Sequence, residues 1–443
     1  MTTFGGLAGP VAIFAAVLLV AYLSLFPAAC AVVVARLARR MGSGAALLAA
    51  PACVASELGR QYIWDGFPWA LLGYSQITWL PIAQLASITG VYGLSLLLAL
   101  TGAAAAYLLV STGRQRLVSA LVVALLVAAC AVWGGARMQA AALTASGERV
   151  RVAVLQANIA QQDKWDPSLA DAITNRYLAM TRQALAQGAT FIIWPESSTP
   201  FYFERDLLRG AAIRRLATEG KATLLIGSDQ VEQMRSEPGR SQPAELTYNA
   251  AFLIQPDGRT GGVYRKMQLV PFGEYVPAKR LLFFVGPIVE AASDFAAGSE
   301  AVLLPVGSHK VSTAICYEVI FASLMRRFVA GGSELLTTIT NDAWYGTSSA
   351  PYQHWDQAAL RAIEGGRYLA RAANTGISGF VDPYGRVLQK SSLFTQALLV
   401  DDLRFITERT IYSRIGDVAA WASLAITVAA LLATAGLRYN KQF

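Results

Sequence analysis

Two histidines in 443 residues, His309 and His354, leave little room for chemistry built on imidazole. A Ser-His-Asp engine or a histidine-ligated zinc is poorly supported by so small a supply. Cysteine is almost as scarce. There are four, no Cys-x-x-Cys pair, and only Cys316 stands outside an apolar run, so no disulfide framework can form within the polar part of the chain. Charge is scarce too. Charged residues make up 15% against 54% hydrophobic ones, which is too apolar for an ordinary soluble protein. The formal charge of +8 would suit nucleic acid. At this hydropathy, basic loops between membrane helices are the commoner source, and no nucleic-acid partner is expected.

What the chain has instead is long apolar runs. Residues 1–35 carry no charge and are closed by Arg36, Arg39 and Arg40. Further apolar segments occupy 41–56, 82–110 and 117–136, and one more lies at 418–437. Each reads as a transmembrane helix, which makes residues 1–137 a membrane region of about four helices and 418–437 a final one. The stretch 64–81 is rich in aromatics and broken by Gly and Pro, as befits an interfacial loop, with Asp65 an interfacial charge. The basic flanks are Arg36–Arg40, Arg114 with Arg116, and the tail with Arg438 and Lys441. They belong in the cytoplasm, so the loop at 64–81 and all of 138–415 belong outside. Met1 then also lies outside. An uncharged terminus crossing ahead of its own helix points to absent upstream helices, through a late start or a truncation.

Between 138 and 415 the pattern is that of an α/β domain. Strands are expected at 149–156, 190–195, 222–228, 249–255, 261–266, 301–306, 311–316 and 334–340, with a final pair around the Asp382–Arg386 turn. Helices are expected at 168–187, 206–219, 320–329 and 354–371, with a polar loop at 235–242. Strands in antiparallel-looking pairs between helices imply a mixed sheet, or two stacked sheets, covered by helices.

Three apolar strands end on a reactive side chain: Glu196 in Trp194-Pro195-Glu196, Lys266 in Tyr264-Arg265-Lys266, and Cys316 in Ile315-Cys316-Tyr317-Glu318. A thiol nucleophile needs a base for its proton and a fixed cation for the oxyanion of a tetrahedral intermediate. Glu, Lys and Cys supply that set without histidine. Taken singly, each has a plain alternative: Glu196 caps a helix, Lys266 is a loop cation, Cys316 is a small hydrophobe. Glu274 and Glu318 are either ordinary ion-pair partners or carboxylates that orient Lys266. His354 begins a helix and packs, His309 is solvated in a turn, and Trp165 either fills the core or serves the site. Trp344, Tyr345 and Tyr352 form an aromatic cluster, as a lid or as core.

The order of these motifs, with Lys266 before Leu269-Val270-Pro271-Phe272-Gly273-Glu274-Tyr275-Val276-Pro277, resembles the carbon–nitrogen hydrolase (nitrilase) superfamily. The flanking membrane helices, Asn341-Asp342-Ala343-Trp344-Tyr345-Gly346 and the 66–76 segment narrow the likeness to the apolipoprotein N-acyltransferase family. The resemblance implies a nitrilase-like αββα sandwich joined to a bundle of transmembrane helices in the bacterial inner membrane, its catalytic domain periplasmic. It implies a thioester on Cys316 formed from the sn-1 chain of a phospholipid, typically phosphatidylethanolamine. The chain then passes to the α-amine of a diacylglyceryl apolipoprotein. Glu196 matches the general base and Lys266 the oxyanion-stabilising lysine. Glu274, Tyr317 and Glu318 match supporting positions, and Trp165 matches a tryptophan needed for activity. No cofactor or metal is implied. The competing readings are a membrane-tethered amidase, with water as acceptor, and a non-catalytic membrane scaffold.

Overall fold

The computed structural model describes residues 9–233, 245–275 and 295–435. The loop expected at 235–242, Val276 and Pro277, the tail cations Arg438 and Lys441, and the placement of Met1 lie outside these. Two compact units are present. One comprises Ala142–Ala362 with Gly366–Glu408; the described part of the other comprises residues 9–141, Ile363–Gly365 and 409–435.

The helical unit contains α1 (Gly9–Met41), α2 (Ala49–Tyr62), α3 (Ala86–Val110), α4 (Arg114–Ala140) and the helix Val418–Ala435. Four stretches are long and apolar enough to cross a membrane: Gly9–Tyr62, Ala86–Val110, Arg114–Ala145 and Val418–Ala435. The first doubles back on itself. Gly42 takes φ 66°, and a 3-10 turn over Gly42–Leu48 leads into α2. Tyr22 of α1 then donates to the Ile63 carbonyl at 3.0 Å, and its ring meets Trp64 edge-on. The segments expected at 1–35 and 41–56 are therefore two arms of one hairpin, with the second α-helix displaced to Ala49–Tyr62.

The helix expected at 82–110 is interrupted. Leu80–Ala83 makes a short turn, and Gly90 inside α3 takes φ 68° where a Cβ would meet the Tyr412 ring at 2.4 Å. The break frees the Val91 N–H, which donates to Glu364 at 2.8 Å. The outward surface is apolar, with Phe14, Leu109 and Val132 between 64% and 86% exposed. Such a surface suits hydrocarbon rather than water.

The other unit is built on two six-stranded sheets among the described residues. The first has the order β12-β1-β2-β3-β4-β5 and the second β11-β10-β9-β8-β7-β6. Their strands are β1 (Arg149–Gln156), β2 (Phe191–Ile193), β3 (Thr223–Gln233), β4 (Glu245–Ile254), β5 (Thr260–Arg265), β6 (Leu304–Val306), β7 (His309–Ile315), β8 (Leu335–Thr340), β9 (Leu369–Ala373), β10 (Gly379–Val381), β11 (Val387–Lys390) and β12 (Ala397–Arg404). Each sheet has a parallel centre, β1-β2-β3 and β7-β8-β9, flanked by antiparallel strands.

The helices are α5 (Ala170–Ala186), α6 (Leu207–Gly220), α7 (Ala322–Ala330) and α8 (Ala350–Gly365). Ile192, Trp194, Leu224 and Phe252 share one core with Ile173 and Tyr177 of α5 and Ile213 of α6. The intervening strand residues Val154, Ile193, Leu225 and Leu253 are equally buried, as a sheet covered on both faces requires. This is the nitrilase-like two-sheet α/β fold.

Two expectations change. The helix expected to reach Arg371 stops at Gly365, because Gly366 turns the chain at φ 62° and Leu369–Ala373 becomes the buried strand β9. The cysteine strand ends at Ile315, so Cys316 stands at its carboxyl end as expected, and Cys316–Ile320 is a 3-10 turn. His309 is not solvated. It stacks on Phe405 at 4.0 Å and bonds Glu334 at 2.6 Å and Glu148 at 3.1 Å.

Candidate active site

The side chains singled out from the sequence come from the carboxyl ends of strands in both sheets. β2 stops at Ile193; Trp194 stacks on Tyr177 and donates to Thr181 at 3.0 Å, and Pro195, which has no N–H, ends the ladder. Glu196 follows, held close over β3 by the lack of a side chain at Gly227. A Cβ there would stand 2.3 Å from the Pro195 carbonyl and 2.7 Å from the Glu196 Cα. Lys266 follows β5 and is 1% exposed. Cys316 follows β7 at φ 52°, a left-handed conformation that costs a non-glycine residue energy and is concentrated at functional positions.

Lys266 bridges two carboxylates. Its Nζ lies 2.8 Å from Glu274 Oε1 and 3.3 Å from Glu196 Oε1. Asn249, on β4, donates through Nδ2 to the same two oxygens, at 2.9 and 2.8 Å. The second Glu196 oxygen accepts from the Asn341 backbone at 2.8 Å. Burial opposes charge on Lys266, but Glu274 and Glu196 outweigh it and hold the ammonium firmly protonated. Burial likewise pushes Glu196 up, and Lys266, Lys164 and the two asparagine donors overcome it, so its carboxyl titrates below the usual range. Cys316 shows the reverse balance. Burial and the Glu196 charge raise its thiol well above normal, with Lys266 pulling the other way. The resting group is a protonated thiol electrostatically coupled to an ionised carboxylate and a fixed cation.

Glu318, expected either as an ion-pair partner or as a carboxylate that orients Lys266, accepts mainly from backbone on both sides of the site. Oε1 accepts from Tyr264 at 2.7 Å, Met267 N at 2.6 Å and Gln268 N at 3.1 Å; Oε2 accepts from Ile315 N at 2.7 Å. One carboxylate thus ties the segment after Lys266 to the residue before Cys316. Burial raises it to about 7, and the hydrogen bonds from Ile315, Tyr264 and Met267, with the Lys266 charge, restrain the rise. Glu274 does contact Lys266 directly, and its Oε2 accepts from Val270 N at 2.8 Å. Tyr317 is buried edge-on against Phe321 at 5.2 Å.

Trp165 is not in the core, being 50% exposed; its neighbour Lys164 is the buried one, donating to the Glu196 carbonyl at 3.0 Å. Burial lowers Lys164 to about 8 despite Glu196 and Asp229. Lys164, Asp229 and Asn249 are site residues that sequence reading missed. The available signal was a charged or amide side chain inside an otherwise buried stretch. His354 packs inside α8, as expected, yet it also touches the nucleophile's backbone. Its Nε2 donates to the Cys316 carbonyl at 3.1 Å, and Nδ1 lies 2.9 Å from Asp342, which Arg371 also binds at 2.9 Å. Of the aromatic cluster, Tyr345 lies edge-on to His354, while Trp344 and Tyr352 are 53% and 54% exposed. Asp65 belongs to the helical unit.

The carbon–nitrogen hydrolase family profile matches residues 151–410, and that of the apolipoprotein N-acyltransferase N-terminal domain matches 1–104. An apolipoprotein N-acyltransferase of Geobacter metallireducens is 38% identical over 433 residues, covering 96% of this chain and 81% of its own. The chain belongs to the apolipoprotein N-acyltransferase family. Members from Bradyrhizobium diazoefficiens and Shewanella oneidensis are 35% and 33% identical, covering 94% and 100% of this chain and 78% and 84% of theirs. An amidase of the nitrilase superfamily from Nesterenkonia aligns at a TM-score of 0.45 and 21% identity, over 61% of this chain and 94% of its own. As an apolipoprotein N-acyltransferase family member, the protein is an enzyme of acyl transfer on a nitrilase-type fold, carried by a membrane protein.

Proposed function

We propose that the protein moves the sn-1 acyl chain of a phospholipid, with phosphatidylethanolamine the favoured donor, through a Cys316 thioester to the α-amine of a diacylglyceryl-cysteine on an apolipoprotein. Glu196 takes the thiol proton as sulfur attacks the ester carbonyl, and Lys266 stabilises the oxyanion. The ester C–O bond breaks, the glycerol oxygen receives the proton from Glu196, and a lysophospholipid leaves. In the second half, the acceptor's ammonium first gives up one proton to solvent; Glu196 accepts a second as the nitrogen attacks the thioester, the C–S bond breaks, and that proton passes to sulfur. The products are an amide and the free thiol. Glu274 and Asn249 hold Lys266 and Glu196 in register, Glu318 and Tyr317 brace the turn bearing Cys316, and Trp165 serves the site from its exposed loop. The reaction takes place on the periplasmic side of a multi-pass inner-membrane protein, residues 138–415 forming the catalytic domain between 1–137 and 418–437.

The observation that carries this reading is the buried Glu196–Lys266–Glu274 web, with Lys266 at 3.3 and 2.8 Å from its partners, electrostatically coupled to a left-handed cysteine. The test is mass spectrometry after incubation with labelled phospholipid, then with a diacylglyceryl peptide. A hydroxylamine-labile acyl adduct on Cys316, followed by triacylated peptide, is expected. Cys316→Ala should form neither, with turnover down by at least about 10³-fold. Free fatty acid as the main product would instead assign a hydrolase.

A further inference from the structure

Asp229 on β3 stands opposite Asn249 on β4 in an antiparallel pair, so the two side chains leave the same face of the sheet as neighbours. Asn249 aims its amide nitrogen at Glu196 and Glu274, which fixes the amide's orientation and leaves Oδ1 as a spare acceptor. Neither Asn249 Oδ1 nor Asp229 Oδ1 has a hydrogen-bond partner among the described residues, and both are buried. Buried acceptors are ordinarily satisfied. Two unmet ones, side by side and next to the proposed base, call for a ligand that brings N–H donors.

The charges agree. Asp229 feels Glu196, Glu274 and Lys164, Glu196 feels Lys164 and Lys266, and Glu274 bonds Lys266, so in this cluster three carboxylates face two ammonium groups. With all five ionised, one negative charge is left over. Asp229 registers it: burial, then Glu196 and Glu274, lift its carboxyl to about 7 against the pull of Lys164. Lys164 spends a donor on the Glu196 carbonyl at 3.0 Å.

We propose that Asp229 and Asn249 form a binding site for a primary ammonium group, which their two unmatched oxygens grip beside Glu196. The proposal deepens the acyl-transfer reading and rests on it. Two substrates carry such a group, the α-amine of the diacylglyceryl-cysteine acceptor and the headgroup of an ethanolamine phospholipid.

The two half-reactions separate these sources. In full-length enzyme, Asp229→Asn is compared with wild type for Cys316 acylation from phosphatidylethanolamine and from phosphatidylglycerol, and for acceptor KM in the second half. An acceptor KM raised at least tenfold more than any change in acylation from phosphatidylglycerol supports the site and assigns it to the acceptor amine. Slower acylation from phosphatidylethanolamine, with phosphatidylglycerol far less affected, supports it and assigns it to the headgroup. Equal losses in every arm, or no loss in any, overturn it. Asp229→Glu should recover part of the lost selectivity. If Asp229→Asn does not fold, the wild type supplies the measurement. A diacylglyceryl-cysteine peptide and an ethanolamine phospholipid, each with its amine acetylated, compete against their free-amine forms. At least tenfold weaker binding of either acetylated form supports the site, and binding within twofold for both overturns it. Absence of any thioester in the wild type would refute the acyl-transfer reading itself, a result distinct from failure of the ammonium site.

Discussion

A thiol that burial and a neighbouring carboxylate both hold in its protonated form is not a standing nucleophile; in the proposed mechanism it becomes one as its proton leaves for Glu196. The working range of the enzyme therefore depends on Glu196 staying ionised. Its carboxyl titrates below the usual value because Lys266 and Lys164 overcome the effect of burial. A depressed acid keeps its charge at ordinary pH and loses it as pH falls through the depressed value, so acylation should fail only well into acid. Lys164 can be removed without touching the Lys266 contacts. It is charged below about 8, so its pull on Glu196 is present across the neutral and acid range. Lys164→Met should raise the Glu196 pKa and move the acid limb of single-turnover Cys316 acylation to higher pH. A limb that stays in place would show that Lys164 does not set the base.

Strand ends position this chemistry, and the close approach of β3 to the Pro195–Ser197 segment is its tightest point. At Gly227 a methyl group would meet the Pro195 carbonyl, the Glu196 Cα and the Ser197 N at 2.3 to 2.7 Å, all of them backbone. Backbone cannot rotate aside as a flexible side chain can. Gly227→Ala should cost about 1–3 kcal/mol of stability and, by displacing Glu196, lower turnover at least about tenfold. Thermal unfolding and acylation rates check it; wild-type values for both would contradict the geometry. Elements like β2 and β7 were legible in the sequence because a run of β-branched residues ends abruptly on a polar one, and Glu196, Lys266 and Cys316 are those endings. Strand β9 was not. Leu369-Ala370-Arg371-Ala372-Ala373 has the composition of a helix, and burial between neighbouring strands overrides it. Strand β12, paired with β1 from Arg149↔Arg404 to Gln156↔Ala397, was missed because its partner is some 250 residues away in the chain. Asp229 and Asn249 were hidden for a similar reason, since their pairing depends on register.

At the scale of the whole chain, the sheet unit is entered from α4 and left toward the helix Val418–Ala435, and both flanking helices are apolar enough to cross a membrane. A compact unit of buried strands cannot straddle a bilayer, so the proposed topology keeps its strands on one side. The side follows from the basic residues. Arg36, Arg39 and Arg40 close α1, and Arg114 and Arg116 open α4, so the proposed topology puts both clusters in the cytoplasm and the far end of α4 outside. Two single cysteines can report this. Arg259, between β4 and β5, has a side chain 88% exposed, and Gln115 lies in the first turn of α4. The native thiols give a low background, because Cys316 is buried and Cys30, Cys53 and Cys130 sit within apolar helices. In intact spheroplasts, a membrane-impermeant maleimide should label Arg259→Cys above the parent and leave Gln115→Cys unlabelled until the membrane is opened. Labelling of Gln115→Cys in closed spheroplasts, with Arg259→Cys protected, would invert the topology and put the thiol on the side away from the proposed lipoprotein acceptor.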